Sequence, residues 1–146
     1  MKVIELTILA EPTSKGRPRT AFRNGSVRTY TPDRTRLAQE YIVDLLQGYK
    51  ELCFVAHVPV KLTCVFYRTK SVWLPKRETL PMRKPDLDNF LKLLSDSINH
   101  ILVADDAQIT TINMAKRWTR RKYGYIALRI EEDNEFNDPL NEEDSL

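Results

Sequence analysis

The sequence lacks any uninterrupted apolar run of the roughly 18–20 residues that a membrane-spanning helix requires, so we expect no transmembrane segment. A short apolar stretch near the N-terminus is interrupted by Glu5 and Thr7, and no small-residue cleavage site follows it. We therefore expect an opening β-strand there instead of a signal peptide, and a protein of the cytoplasm.

Cysteine is scarce, with only Cys53 and Cys64 in 146 residues. The two are separated by ten residues and form no Cys-x-x-Cys pair, so they match no metal or redox motif. We predict two buried free thiols in a reducing compartment, with a disulfide between them as the alternative.

Basic residues are absent from residues 131–146, which carry eight acidic side chains. Residues 1–130 therefore hold all 23 Lys and Arg residues against 12 acidic ones, a net charge of +11. Such a basic body favours a polyanionic partner, and a merely soluble basic protein is the alternative. The acidic tail has few large apolar residues, so we predict a mobile terminus after a single domain over residues 1–130.

Hydrophobic periodicity predicts a domain of the α/β class (α+β type), a mixed sheet with two main helices in the order βαβαββ. The strand-like segments alternate apolar and polar residues, and they are residues 3–10, 58–68, 107–118 and 123–130. The helix-like segments repeat apolar residues every three or four positions, and they are about 33–47 and 85 or 86 to 100.

Two turns are predicted from local sequence. Residues 11–32 are a turn-rich loop or a loose hairpin with Asn24-Gly25 at its turn, because both residues tolerate positive φ. Residues 120–122 are predicted to turn between the last two strands as a hairpin. In the first helix, one apolar stripe is predicted, formed by Leu37, Tyr41, Ile42 and Leu45.

Acidic residues concentrate around the second helix. Asp88, Lys92 and Asp96 follow at four-residue intervals, so they lie one above the other on a face away from the apolar stripe. Asp86 precedes Asp88 by only two residues and is therefore predicted at the N-cap, where it can turn towards Asp88.

Asp105 and Asp106 bring two further carboxylates just before the next strand. If that strand packs beside the start of the helix, three or four carboxylates converge. Such a cluster suits Mg²⁺, which can polarise a phosphate and activate water for phosphodiester hydrolysis. Lys92 would then serve as a positive charge near the phosphate or the attacking water.

Each of these residues also has a structural interpretation. Asp86 and Asp88 could cap the helix and complement its dipole, each worth ~0.5–1 kcal/mol. Asp88 and Lys92 could form an ordinary i,i+4 ion pair worth ~0.3–0.5 kcal/mol. Asp105 and Asp106 could be a polar turn.

The whole pattern, KPDLDNFLKLLSDSI followed by ADDAQI, closely resembles the signature of the RusA family of Holliday-junction resolvases. KGRPR and YTP near the N-terminus also look like this family, and the resemblance spans about residues 3–130. It implies essential carboxylates at Asp86, Asp88 and Asp106, a functional lysine at Lys92, and supporting roles for Asp105 and Asp96.

The resemblance further implies a homodimer that cuts four-way DNA junctions with Mg²⁺, or with Mn²⁺ as a substitute, in DNA recombination and repair. We expect metal ligation by Asp86, Asp88, Asp106 and Asp105. Genes of this family often lie in prophages, and the protein would be nucleoid-associated when bound to DNA. The alternatives are a non-catalytic DNA- or RNA-binding module and a metal-dependent nuclease that prefers other branched nucleic acids.

Basic residues outside the acidic cluster are candidates for contacts with DNA phosphates. They form a loop group and a group around Trp118 and Tyr123: Lys15, Arg17 and Arg19, then Lys116, Arg117, Arg120, Arg121 and Lys122. The 69–85 loop, with Trp73, is a further candidate contact. The alternatives are a solvated turn for the arginines and a core or interface position for Trp118.

Overall fold

A computed structural model of the chain describes residues 2–16, 19–30, 33–134 and 138–140. The elements follow one another as β1 (Val3–Ile8), β2 (Arg19–Arg23), β3 (Ser26–Tyr30), α1 (Asp33–Leu46), β4 (Val60–Arg68), α2 (Leu87–Ile98), β5 (Ile109–Trp118) and β6 (Tyr125–Glu132). Short 3₁₀ segments, Gln47–Leu52 and Asp106–Gln108, follow α1 and precede β5. The predicted mixed domain is confirmed, with β2 and β3 added where a loose hairpin was expected.

The main sheet has the strand order β1-β6-β4-β5, in which β4 pairs with β5 in parallel and with β6 antiparallel. The predicted hairpin between β5 and β6 is therefore wrong, because β4 lies between them. Alternation identifies a strand but not its neighbour, and the apolar face of β4 suits the centre of a sheet. Residues 120–122 connect two strands that are not hydrogen-bonded to each other.

The small hairpin of β2 and β3 closes at the predicted turn. Asn24 and Gly25 have φ angles of 51° and 74°, the pair of positive values that a type I′ turn needs. Arg23 and Ser26 are the strand residues paired next to the turn. The local sequence therefore predicted the position of this turn correctly.

The hydrophobic core lies between the helices and one face of the main sheet. Phe90 of α2 stacks on Phe66 of β4 with ring centroids 5.3 Å apart, and both side chains are buried. Ile42 and Leu46 bring α1 into the same core. The predicted stripe of α1 is split, because Leu37, Tyr41 and Leu45 are exposed while Ile42 is buried. In the described part of the chain, no helix combines the length and apolar character that a bilayer crossing demands.

Both cysteines are free thiols, as predicted. Cys64 is buried in β4, and burial raises the pKa of its thiol to about 12. It is therefore protonated and unreactive at neutral pH. Cys53 is only half-buried, so the expectation of two buried thiols holds for Cys64 alone.

The start of the acidic tail is part of the fold. β6 continues to Glu132, two residues past the predicted boundary at Ile130. The Asp133 amide donates to the Pro59 carbonyl at 2.9 Å, and its carboxylate accepts hydrogen bonds from the hydroxyls of Thr110 and Thr111. Residues 135–137 and 141–146 lie outside the described residues, so the expected mobility of the tail stays a prediction.

A close contact at Gly124 joins the ends of β1 and β4. The Glu11 carboxylate accepts hydrogen bonds from the Thr69 amide and hydroxyl, both at 2.9 Å. Gly124 lies directly against this carboxylate. A Cβ added there would stand 1.8 Å from Glu11 Oε2 and 2.8 Å from the Tyr67 carbonyl oxygen. Only glycine fits without displacing the backbone of β4.

We expect Gly124→Ala to lower the free energy of unfolding by ~1–3 kcal/mol, because the new methyl group forces Glu11 and the end of β4 apart. Urea denaturation measures this directly. Gly48→Ala is the matched control, since nothing lies within 4 Å of a Cβ at that position. Equal stability of the two variants would contradict the prediction.

Candidate active site

Asp86 stands at the N-cap of α2, as predicted, with extended backbone angles (φ −68°, ψ 151°). Its carbonyl oxygen accepts the Asn89 amide at 3.1 Å, but its carboxylate makes no capping hydrogen bond. The side chain is 57% exposed and faces the still more exposed Lys84 at 3.9 Å. The capping interpretation therefore does not account for this carboxylate.

Asp88 and Lys92 occupy the first and second turns of α2, and both side chains are exposed. Neither forms an ion pair or a side-chain hydrogen bond within the described part of the chain. The expected alternative of an i,i+4 ion pair between them is therefore not realised. Their charges are available to a ligand.

Asp96, one turn further along the same face, is paired with Lys15. The Lys15 amide also donates to the Asn89 carbonyl at 3.1 Å, and the Gly16 amide donates to the buried Thr35 hydroxyl at 2.9 Å. These bonds fasten the loop after β1 to both helices. Lys15 was predicted to contact DNA, but its ammonium group is paired with the Asp96 carboxylate.

Two other predicted DNA contacts near Lys15 cannot be placed. Arg17 lies outside the described residues, and only the backbone of Arg19, in β2, is described. Their proposed role stays a prediction. The bonds of Lys15 and Gly16 show that the segment leading to them is held beside α2.

The turn before β5 is locked by its own side chains. Asp105 Oδ1 accepts the Ala107 amide at 3.0 Å, and Gln108 Oε1 accepts the Asp105 amide at 2.8 Å. The backbone N–H of Ala107 holds the pKa of the Asp105 carboxyl below its usual range. Gln108 Nε2 donates to the carbonyls of Val55 at 2.6 Å and Val58 at 3.0 Å. Asp105, predicted as a supporting metal ligand, already uses one carboxylate oxygen within the turn.

Asp106 lies at the far end of α2 from Asp86. The Asp106 amide donates to Asn99 Oδ1 at 2.9 Å, and Asn99 is the C-cap of α2. The 12 residues of α2 span ~18 Å at 1.5 Å per residue. Asp106 is thus about one helix length from the acidic residues at the helix start.

The expected convergence of these carboxylates does not occur within one chain. No three His, Cys, Asp or Glu side chains in the described ranges are grouped closely enough to hold a metal ion. The expectation was wrong because β5 runs antiparallel to α2. Lys116, near the end of β5, lies at the helix start, whereas the beginning of β5 lies at the other end of the helix.

Lys116 connects the sheet to the segment that carries Asp86. Its ammonium group donates to the carbonyls of Arg83 and Pro85, both at 2.9 Å. Lys116 was predicted as a DNA contact, but these two bonds give it a structural role.

The sequence analysis assigned no role to Asn99 or Gln108. Both amide side chains stand among apolar residues in the sequence, and this context could have indicated that they are hydrogen-bonded.

The other basic residues of this region are more open to DNA. Trp118 is half-buried, donating from its indole nitrogen to the Glu78 carbonyl at 3.1 Å, so its structural alternative is favoured. The Arg121 guanidinium lies 4.4 Å from the centre of the Tyr125 ring. Four exposed cations remain around the β5–β6 connection: Arg117, Arg120, Arg121 and Lys122.

Comparison with known proteins places these residues in a family. The sequence model described as "Endodeoxyribonuclease RusA" matches residues 10–131, which include β4, β5, all but the last residue of β6 and both acidic segments. The chain belongs to the RusA endodeoxyribonuclease family. RusA membership supports a nuclease activity with DNA as the partner.

A similar protein is known from Bacillus subtilis (strain 168), under the name "Uncharacterized protein YqaN". It is 27% identical over 139 residues, which cover 88% of this chain and 97% of the relative. The similarity therefore extends over nearly the whole of both proteins. The name of that relative adds no activity to the RusA assignment.

We expect Lys116→Met to lower the free energy of unfolding by ~1–3 kcal/mol, since two carbonyl acceptors next to Asp86 lose their charged donor. DNA cleavage should fall more than DNA binding, because the segment that positions Asp86 is released. Chemical denaturation and a nuclease assay test both effects. Lys50→Met is the control, because this lysine is exposed in the 3₁₀ segment after α1 and its side chain makes no hydrogen bond or ion pair within the described residues. Unchanged stability and cleavage in Lys116→Met would refute the anchoring role.

Proposed function

We propose that this protein is a structure-selective endonuclease that resolves four-way (Holliday) DNA junctions by metal-dependent hydrolysis of phosphodiester bonds, in DNA recombination and repair. The observation that carries the proposal is the exposure of the Asp86 and Asp88 carboxylates. Both carboxylates are exposed at the start of α2, and neither caps the helix through its side chain. The Asp86 carboxylate faces only the exposed Lys84 ammonium group, 3.9 Å away, and Asp88 has no partner among the described residues, so both offer the oxygen ligands that a divalent metal ion prefers.

Mg²⁺, with Mn²⁺ as a substitute, is the proposed cofactor. The donor chemistry fits, because Asp86, Asp88 and Asp106 offer the carboxylate oxygens that this hard ion prefers. When bound, the ion would polarise the scissile phosphate and lower the pKa of a bound water. Lys92, exposed one turn from Asp88, would meet the negative phosphate. Asp105 holds the turn that positions Asp106.

A single chain does not complete this donor set, because Asp106 lies at the other end of α2. The proposed homodimer resolves the separation. β5 is an edge strand of the described sheet, and it runs antiparallel to α2. If two copies pair their β5 strands about a two-fold axis, the start of one β5 meets the end of the other. Asp106 of one copy then lies beside Asp86 and Asp88 of its partner.

Exposed cations near the same end of α2 supply the proposed grip on DNA. Arg117 and the residues at 120–122 follow Lys116, whose ammonium group contacts the segment before Asp86. Cations there would bind backbone phosphates without reading sequence. The net charge of +11 over residues 1–130 supports this polyanionic partner.

We expect Asp88→Asn to keep the fold and junction binding but to lose Mg²⁺-dependent cleavage by about 100-fold or more, as for loss of a metal ligand. The assay follows a labelled synthetic four-way junction beside a linear duplex of matching sequence, with Mg²⁺ and with EDTA. Asp44→Asn, on the exposed surface of α1, is the matched control.

Paired symmetric nicks in the junction alone, absent with EDTA, are the expected result for the unmodified protein. Binding without cleavage at any metal concentration would instead favour a DNA-binding module. Cleavage of flaps or forks in preference to the junction would favour a nuclease for other branched DNA. Normal cleavage by Asp88→Asn would remove this residue from the site.

We expect activity to reappear when Asp88→Asn and Asp106→Asn chains are mixed and allowed to exchange partners. In the mixed dimer, one site would combine the intact Asp88 of one copy with the intact Asp106 of the other. That dimer would nick one strand of the junction, while each variant alone stays inactive. If each site belonged to one chain, both sites of the mixed dimer would be defective and no nicking would return.

A further inference from the structure

The 69–85 loop, between β4 and α2, presents two large apolar side chains to solvent. Val72 and Trp73 are each 91% exposed, the highest values among the large hydrophobic residues in the described ranges. The Leu74 amide donates to the Ser71 carbonyl at 3.2 Å, so the two residues occupy the centre of a turn. An exposed tryptophan at a turn has no role in the core of this protein.

This loop is held by charged and buried groups close behind the turn. Lys70 Nζ donates to the carbonyls of Pro75 at 2.9 Å and Glu78 at 2.8 Å. The buried Glu78 carboxylate accepts hydrogen bonds from Arg83 at 2.6 and 2.9 Å. The Arg83 hydrogen bond holds the pKa of Glu78 below its usual range, so this ion pair persists at neutral pH. Trp73 is therefore exposed on a loop that these hydrogen bonds hold in place.

The same loop is attached to the proposed active site. Its end, Pro85, precedes Asp86, and the carbonyls of Arg83 and Pro85 are both bound by Lys116. Trp118 of β5 also donates to the Glu78 carbonyl. The sheet thus fixes both the turn that carries Trp73 and the segment that carries Asp86.

The charge of the loop indicates what Trp73 contacts. Glu78, the loop's sole acidic residue, is neutralised by Arg83, whereas Lys76 and Arg77 beside the turn are exposed. An aromatic ring among unneutralised cations is the combination that stacks on a nucleobase while the neighbouring phosphates are held. Intact duplex offers no open base face, whereas a branch point does.

We propose that Trp73 stacks on an unstacked base at the branch point of the DNA and thereby determines the preference for branched over linear DNA. This inference rests on the proposed function, because it assumes a branched substrate next to Asp86. Trp73 is a specificity-determining residue in this view. Lys76 and Arg77 contribute affinity for both kinds of DNA through phosphate contacts.

The test compares Trp73→Ala and Trp73→Phe for binding to a four-way junction and to a linear duplex, with 2-aminopurine at the branch point. All proteins also carry Asp88→Asn, so that the DNA stays uncut. Trp73→Ala should bind the junction about 5- to 150-fold more weakly, the range for loss of one stacked base, with duplex binding unchanged. Trp73→Phe should retain most of the preference, and the 2-aminopurine signal that binding produces should disappear in Trp73→Ala.

Two controls separate stacking from other effects. Tyr49→Ala removes a partly exposed aromatic ring from the 3₁₀ segment after α1, and should change neither affinity. Lys76→Ala should weaken binding to junction and duplex alike and reduce the salt dependence of both.

An unchanged junction preference in Trp73→Ala would overturn the proposal while leaving the resolvase function intact. Equal losses on junction and duplex would also overturn it, as would a change in oligomeric state, which would assign the turn to a contact between chains. If the parent protein itself shows no preference for the junction, the proposed function fails and the role of Trp73 fails with it.

Discussion

Two hydrogen bonds from the Lys116 ammonium group, to the carbonyls of Arg83 and Pro85, couple the edge of the sheet to the start of α2. Because Lys116 lies near the end of β5, these bonds hold that end of the strand beside the start of α2. They also fix where the 69–85 loop returns to the body of the protein. The positions of Asp86 and of the turn carrying Trp73 both depend on this contact.

The other end of α2 is organised by two amide side chains together with the Asp105 carboxylate. Asn99 accepts the Asp106 amide, and the Gln108 side chain joins the acidic turn to the carbonyls before β4. A cation therefore positions the first acidic segment, whereas two amide side chains and the Asp105 carboxylate position the second. In both places the bonds engage the backbone, so the carboxylates of Asp86 and Asp106 need not serve as structural anchors.

Local features of the fold could be predicted from the sequence, and non-local ones could not. The Asn24-Gly25 turn and the N-cap position of Asp86 follow from preferences of adjacent residues, and the structure confirms them. Strand order depends on pairing across the chain, so β5 and β6 were wrongly expected to be neighbours. The same limit explains why the carboxylates were wrongly expected to converge. Spacing along α2 predicts that Asp88 and Lys92 share a face, but only the antiparallel course of β5 shows that Asp106 lies far from the start of α2. The family pattern implies a site of Asp86, Asp88 and Asp106 without indicating that one chain holds these residues apart.

The bonds of Asp133 define where the folded body ends. Its amide and carboxylate join the residue before β4 to the first threonines of β5, directly after the turn that holds Asp106. A shortened protein that stops at Ile130 would lose the last residues of β6, and the Thr110 and Thr111 hydroxyls at the beginning of β5 would lose their Asp133 acceptor. For protein engineering, a C-terminal fusion or deletion therefore belongs beyond Asn134, because a cut made earlier alters the geometry around Asp106 as well as removing negative charge.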